Sequence, residues 1–237
     1  MKTSVIVPTF NERETLHALI RALAPLAALQ DLEIIIVDDA SPDGTAEVAA
    51  RMAAEAAAPL RLVRRPGKGG LASAVLAGVA ASSGRIVVVM DCDGSHPPQT
   101  LPALVAAVEA GADVAVASRY AGGRIASWPL WRRVTSLAAT AAARRLFRLR
   151  VRDPLSGYFA ARREVLARRA YWGVGYKILL EILARNPDLT VAEVGFTFTD
   201  RAAGRSKLSV GEVSAYLQLL RRLWGERSGL RMGKRVS

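Results

Sequence analysis

The sequence predicts an α/β protein of Rossmann-like type, a mostly parallel sheet flanked by helices, and three observations carry that expectation. Apolar, strand-length runs alternate with helical patterns through the first half of the chain, which is how successive βαβ units read. The run Ile86-Val87-Val88-Val89-Met90 is apolar throughout and mostly β-branched, the pattern of a strand buried on both faces of a parallel sheet. Directly behind it stand Asp91 and Asp93, at the C-terminal edge where open α/β sheets bind their ligands.

Strands are expected near residues 3–8, 33–38, 60–64, 86–91 and 113–118, and helices near 12–28, 44–57, 70–82 and 98–110. The first strand ends where Pro8 and Asn11 interrupt its apolar run. Asp43-Gly44 supplies turn and cap chemistry after the second, and Gly67-Lys68-Gly69-Gly70 leads from the third into a helix. Pro98 suits the first turn of the fourth helix. Past Ser118-Arg119-Tyr120 the pattern changes. Residues 129–149 form one long helical segment with Leu130, Val134, Leu137, Ala138, Ala141 and Leu149 along one side and Arg133, Arg144 and Arg148 along another. Val191–Phe198 is strand-like, and Ser209-Val210-Gly211-Glu212 is a capping box that opens a last helix. That helix carries Val213, Tyr216, Leu217, Leu220, Leu223 and Trp224 on one face beside Arg221 and Arg222. These two basic amphipathic helices either close the core or lie on a membrane surface.

At 237 residues and 51% hydrophobic composition, the chain fits one domain with an ample core. Its one cysteine, Cys92, excludes an internal disulfide and fits a reducing cytosol; between the two acids it reads as a small residue filling the strand end. The N-terminal apolar run is too short for a signal peptide, and no stretch reaches the roughly 20 apolar residues that span a bilayer. The net charge of +12 is unevenly spread: residues 1–118 carry 9 basic and 13 acidic side chains, residues 119–237 carry 24 and 8. One half therefore suits a metal and the other suits anions, either substrate phosphates or acidic lipid heads. Nucleic acid is disfavoured as a partner, since the chain has no motif for it and only 6% aromatic residues to stack on bases.

Acids at i and i+2 on an extended backbone point the same way. Asp91 and Asp93 thus converge oxygen ligands suited to Mg²⁺ or Mn²⁺, which would take the rest of its shell from water and a substrate's phosphates. The plainer alternative is that they cap the next helix. Val7-Pro8-Thr9-Phe10-Asn11-Glu12, Val37-Asp38-Asp39 and the Lys68 loop belong to the same sheet edge. Asp38 or Asp39 can accept hydrogen bonds from a base or a ribose hydroxyl. Lys68 has a Gly-rich setting that permits close approach to phosphate, although the Walker spacing is absent. Arg201-Ala202-Ala203-Gly204-Arg205-Ser206-Lys207 puts three cations around a glycine, a mobile loop able to fold over phosphate. His96, before two prolines, reads as a structural residue beside the metal, and His17 as a surface residue of the first helix.

Together with Met90-Asp91-Cys92-Asp93-Gly94-Ser95-His96-Pro97-Pro98, Asp153-Pro154-Leu155-Ser156-Gly157-Tyr158-Phe159, Lys177-Ile178-Leu179-Leu180-Glu181 and Phe196-Thr197-Phe198, these stretches give a specific likeness. The chain resembles the family 2 glycosyltransferases of the GT-A fold, and within them the dolichol-phosphate (polyprenol-phosphate) mannose synthases, over roughly residues 3–224. The resemblance implies a GT-A domain over 1–208, with a nucleotide-binding half 1–118 and an acceptor-binding half 119–208, then a basic amphipathic helix and tail over 209–237. It implies an enzyme on the cytoplasmic face of a membrane that moves mannose from GDP-mannose to a polyprenol or dolichol phosphate, inverting the anomeric carbon. By matching positions, Pro8, Asn11, Glu12, Asp38, Asp39, Lys68, Cys92 and Lys177 belong to the nucleotide-sugar site, and Asp91 and Asp93 to the metal. Arg119, Arg133, Arg201 and Lys207 would be the cations around the transferred sugar and the acceptor phosphate. Ser95 stands where many members carry Gln, so its shorter hydroxyl would reach the ion directly or through a water. Many relatives continue into transmembrane helices; here attachment is expected through 129–149 and 209–224, or through a small membrane-anchoring subunit.

The chemistry favours a phosphate acceptor on its own terms. Sugar transfer builds negative charge on the leaving diphosphate, which calls for a metal or cations at that point. Attack by a sugar hydroxyl also needs a general base, whereas a phosphate monoester, with a second pKa of about 6, is already anionic. Past Asp93 no two acids are adjacent: Asp153, Glu164, Glu181, Asp188, Glu193, Asp200, Glu212 and Glu226 stand singly. Gln218-Leu219-Leu220-Arg221-Arg222-Leu223-Trp224 only approximates the Gln-x-x-Arg-Trp of polysaccharide synthases. Two rival readings are the same transfer from UDP-glucose or another nucleotide sugar, and a non-catalytic subunit that binds a nucleotide sugar.

Overall fold

The computed structural model describes residues 2–29, 31–55, 59–126, 128–199 and 210–233. The first half alternates as its periodicity requires: β1 (Thr3–Thr9), α1 (Arg13–Leu29), β2 (Leu32–Asp38), α2 (Thr45–Glu55), β3 (Leu60–Arg64), α3 (Leu71–Ala81), β4 (Ile86–Val89), a 3-10 turn at Pro98–Thr100, α4 (Leu101–Glu109) and β5 (Val114–Ser118). The second half adds β6 (Arg124–Ile125), α5 (Leu130–Phe147), β7 (Phe159–Arg162), α6 (Arg163–Ala167), α7 (Ile178–Arg185), β8 (Val191–Gly195), β9 (Thr197–Phe198) and α8 (Val210–Gly233).

Seven strands form one sheet in the order β3-β2-β1-β4-β7-β5-β8, and β6 pairs with β9 in a small second sheet. The large sheet is parallel except at β7, which runs antiparallel between β4 and β5. The sequence does not announce β7, because Phe159-Ala160-Ala161-Arg162 is short and rich in alanine, a poor strand former. Its strand geometry comes from two buried neighbours that each need a hydrogen-bonding partner on that side. From β1 the chain order runs to β2 and β3 on one flank and to β4 on the other, so the topological switch lies between β1 and β4. A ligand crevice is expected over their C-terminal ends.

Alternate residues of the central strands feed two separate cores. Val5, Val7, Ile34, Ile36 and Val88 pack with α1 and α4, while Ile6, Ile35, Val37, Val87 and Val89 pack with α3 and α7. This two-sided burial is why the strands read as unbroken apolar runs.

The long helix α5 turns to the core a side other than the one its apolar periodicity marks. It buries Thr140, and its Ala143 and Phe147 join a third cluster with Leu180 of α7 and Leu219 and Leu223 of α8. The apolar side drawn from its periodicity points outward: Leu130, Val134 and Leu137, joined by Trp131, are between 50% and 77% exposed. Helix α8 divides its apolar residues. Leu219 and Leu223 are buried, Val213, Leu217 and Trp224 are exposed, and the helix continues past its expected end near 224. The capping serine, Ser209, lies outside the described residues. Among the described residues no helix is long and apolar enough to cross a membrane.

Candidate active site

The site is built where β4 stops. Pairing runs to Val89 and the Met90 N–H still donates to the Ile6 carbonyl, so Asp91 is the first residue beyond the ladder, and Asp91, Asp93 and Ser95 line a pocket of about 270 Å³. His96 fixes this corner from behind. Its Nδ1 accepts the Asp91 backbone N–H at 2.8 Å, its ring stacks on Tyr158 with centroids 5.0 Å apart, and burial lowers its pKa. The Asp93 carboxylate accepts the Ser95 backbone N–H at 3.0 Å, which pins the turn between them. Gly157 keeps the space in front of Asp91 open, since a Cβ there would stand 3.3 Å from Asp91 Oδ2 and 3.2 Å from the His96 ring.

This corner fits a hard divalent cation. Two carboxylates and a hydroxyl are oxygen donors of the kind Mg²⁺ and Mn²⁺ take, and among the described residues no group of three or more His, Cys, Asp or Glu forms a closed cage. An ion there would complete its shell from substrate oxygens and water.

The rest of the lining is cationic and aromatic. Arg119, Trp128, Arg132, Lys177, Tyr176, Phe196 and Phe198 belong to it, with Thr135, Ser136 and Ala139 of α5 and Glu212 and Tyr216 of α8. Arg119 is buried and held by Asp153: Nε and Nη2 each donate to a carboxylate oxygen at 2.7 Å. Burial works against its charge, but Asp153 more than offsets this and raises the pKa. Lys177 donates to the Leu155 carbonyl at 2.9 Å; burial, with Arg119 nearby, brings its amine down to about 8. Such a lysine gains charge readily when an anion arrives.

The nucleotide-side residues sit along the same sheet edge but do not line this pocket. Asp38 is buried and accepts from Thr9 Oγ1, Ser41 Oγ and the Ser41 backbone N–H, which ties it into the turn after β2. Asp39 accepts the N–H groups of Gly69 and Gly70 at 2.7–3.1 Å and pairs with Arg65, and so it tethers the Lys68 loop. Lys68 Nζ lies 3.6 Å from the centre of the Phe10 ring. Pro8 is buried in β1 beside Val37 of β2, and Asn11 is exposed, with its N–H on Ser41 Oγ and a positive φ of 59°. The Glu12 carboxylate accepts from Thr15 Oγ1 at 2.6 Å. Cys92 turns into the core, 3.7 Å from Thr15 Oγ1, and burial pushes its thiol up to about 12, so its side chain is no part of the pocket.

Arg133 does not line the pocket: it donates to the Ile125 carbonyl at 2.7 Å, and its neighbour Arg132 is in the lining. One residue of register on α5 decides which guanidinium faces in. Arg201 and Lys207 lie outside the described residues. Trp128, Ser136, Glu212 and Tyr216 were not singled out from the sequence as site residues, and the hint for Trp128 was the acid-free basic stretch that begins there.

Residues 4–169 match the family model of Glycosyl transferase family 2. The chain belongs to that family. Among the similar proteins of this family, the dolichol-phosphate mannosyltransferase of Pyrococcus furiosus is 42% identical over 226 residues, 94% of this chain; the chain spans 64% of that relative's length. The polyprenol monophosphomannose synthase of Mycolicibacterium smegmatis is 40% identical over 217 residues, 88% of this chain and 81% of the relative. Glucosyl-3-phosphoglycerate synthase from Mycobacterium tuberculosis, solved with Mn²⁺, UDP-glucose and glycerol 3-phosphate, aligns with a TM-score of 0.69 at 28% identity, over 96% of this chain and 80% of that one. The family 2 glycosyltransferase described here therefore shares its fold with an enzyme solved with a nucleotide sugar.

Proposed function

We propose that this glycosyltransferase moves mannose from GDP-mannose to the phosphate of a polyprenol at a membrane surface, with Mg²⁺ or Mn²⁺ at the Asp91–Asp93 corner. The observation that carries the reading is the make-up of one pocket: Asp91 and Asp93 share its lining with Arg119, Arg132 and Lys177. Such cations suit an acceptor that is itself an anion. Glu212 is the one further carboxylate among the described lining residues, and it stands singly. A phosphate monoester needs no base to become nucleophilic.

When bound, the ion would offset the charge that grows on the leaving diphosphate. The protein's own residues supply the rest. Arg119, fixed by Asp153, presents its remaining N–H groups to the acceptor phosphate without reorganising. Lys177 adds a buried amine that becomes fully cationic beside two phosphates. The mannose assignment leans on the names of the two relatives at 42% and 40% identity, against a glucose-transferring neighbour at 28%.

A lipid acceptor must be met at a bilayer. The exposed row Leu130, Trp131, Val134 and Leu137 lies on the helix that also lines the pocket, and a net positive second half favours acidic lipid heads. Peripheral attachment on the cytoplasmic face, directly or through a small anchoring subunit, follows from this reading. The test is a donor screen with a short prenyl phosphate, with and without Mn²⁺, that follows nucleotide release. GDP release that depends on both acceptor and Mn²⁺ is expected, and exclusive release of UDP would end the mannose assignment.

A further inference from the structure

The indole N–H of Trp128 is buried against the pocket and has no hydrogen-bond partner among the described residues. Leaving such a donor unmet typically costs about 1–3 kcal/mol, so the unmet donor asks for a ligand. Its surroundings say which ligand. The ring meets Phe198 edge to face with centroids 5.1 Å apart, and this fixes its plane at the start of α5. Two guanidiniums lie against the same ring, Arg132 Cζ at 4.3 Å and Arg119 Cζ at 5.4 Å from its centre. Both distances are within the range of cation–π attraction, and a guanidinium stacked on a ring still directs N–H groups outward along its edge.

We infer that Trp128 contacts the acceptor: its indole N–H donates to an oxygen of the acceptor's phosphate, and its ring sets Arg119 and Arg132 around that same group. The donor diphosphate is the poorer candidate, because its metal corner belongs to Asp91 and Asp93, whereas Trp128 stands on the wall made with α5 and α8. Those helices carry the outward apolar residues that bring a lipid within reach. A neutral donor between two cations also confers selectivity. It can bond a phosphate oxygen without adding to the positive charge that the phosphate must already balance.

The inference rests on the phosphate-acceptor reading above, and the experiment separates the two. The full chain has 4 tryptophans, so ¹⁵N-labelled protein gives a small set of indole signals, and Trp128→Phe, which keeps a ring, assigns one of them. With Mg²⁺ and GDP bound, geranyl phosphate should move the Trp128 indole proton downfield, inorganic phosphate should do so at higher concentration, and geraniol should not. In turnover, Trp128→Phe should raise the KM for geranyl phosphate about tenfold or more and leave the donor KM within about twofold, as loss of one hydrogen bond to a charged group does. An indole signal that stays still while geranyl phosphate saturates, or one that moves with Mg²⁺ and GDP alone, would overturn the assignment even if wild-type transfer is intact. Absence of wild-type transfer to any prenyl phosphate would instead remove the underlying reading and this one with it. Where Trp128→Phe folds poorly, Phe substitution of each of the other three tryptophans assigns the Trp128 signal by elimination, and the wild-type titration still decides the matter.

Discussion

Arg119 and Asp153 form a two-point bond in the interior, Nε and Nη2 each 2.7 Å from a carboxylate oxygen, with Asp153 fully buried. Asp153 also accepts the Arg119 backbone N–H at 3.0 Å, and Glu193 in turn accepts the backbone N–H groups of Arg152 and Asp153. The guanidinium is thus fixed before any substrate arrives. Removing one partner of a buried pair strands the other charge, so Asp153→Asn should cost about 3 kcal/mol in urea unfolding and raise the acceptor KM. Unchanged stability would mean that the pair does not hold Arg119.

Glu212 separates a phosphate acceptor from a hydroxyl acceptor. If the acceptor arrives already anionic, Glu212→Gln should keep kcat within about threefold of wild type, whereas loss of a general base typically costs 10²–10⁴-fold. A hundredfold fall in kcat measured with a short prenyl phosphate would assign Glu212 the base and contradict the reading.

Much of this site was legible because its chemistry is local in sequence. The acids at i and i+2 behind β4 and the parallel first half follow from runs and spacings that the structure keeps. What was hidden depends on tertiary choice. β7 is a strand because of its neighbours, Arg132 rather than Arg133 lines the pocket because of the roll of α5, and Asp38 accepts from Thr9, which only the folded chain brings to it. Periodicity located the apolar side of α5 but could not say whether that side meets the core. The cluster with α7 and α8 took the Thr140, Ala143 and Phe147 side instead.

That outward side makes a membrane prediction. Replacing Leu130, Trp131, Val134 and Leu137 together by serine removes exposed apolar surface without touching the described pocket lining. Flotation with acidic liposomes should fall at least tenfold, while transfer to a water-soluble prenyl phosphate stays near wild type. Undiminished flotation would move the membrane contact to another surface or to a partner.

The acid limb of the stability profile should depend on Glu33. Burial disfavours its charge, but hydrogen bonds from Ser4 and Ser83, with Lys2 nearby, more than offset this and hold its pKa at about 2 against an ordinary 4.5. A folded-state value below the unfolded one gives stability that is complete above about pH 4.5 and lost as pH falls towards 2. Glu33→Gln should therefore be less stable than wild type by about 1–2 kcal/mol at pH 6, allowing for solvent screening, with the gap narrowing at pH 3. Urea unfolding at the two pH values checks this, and a gap that widens in acid would contradict it.

Crystals of the full chain grown with Mn²⁺ and GDP, measured at the manganese absorption edge, test the metal corner most directly. The expected result is one anomalous peak within about 2.0–2.3 Å of oxygens from Asp91 and Asp93, with the GDP diphosphate completing the ion's shell. A diphosphate bound elsewhere, with no anomalous peak between those two carboxylates, would contradict the account.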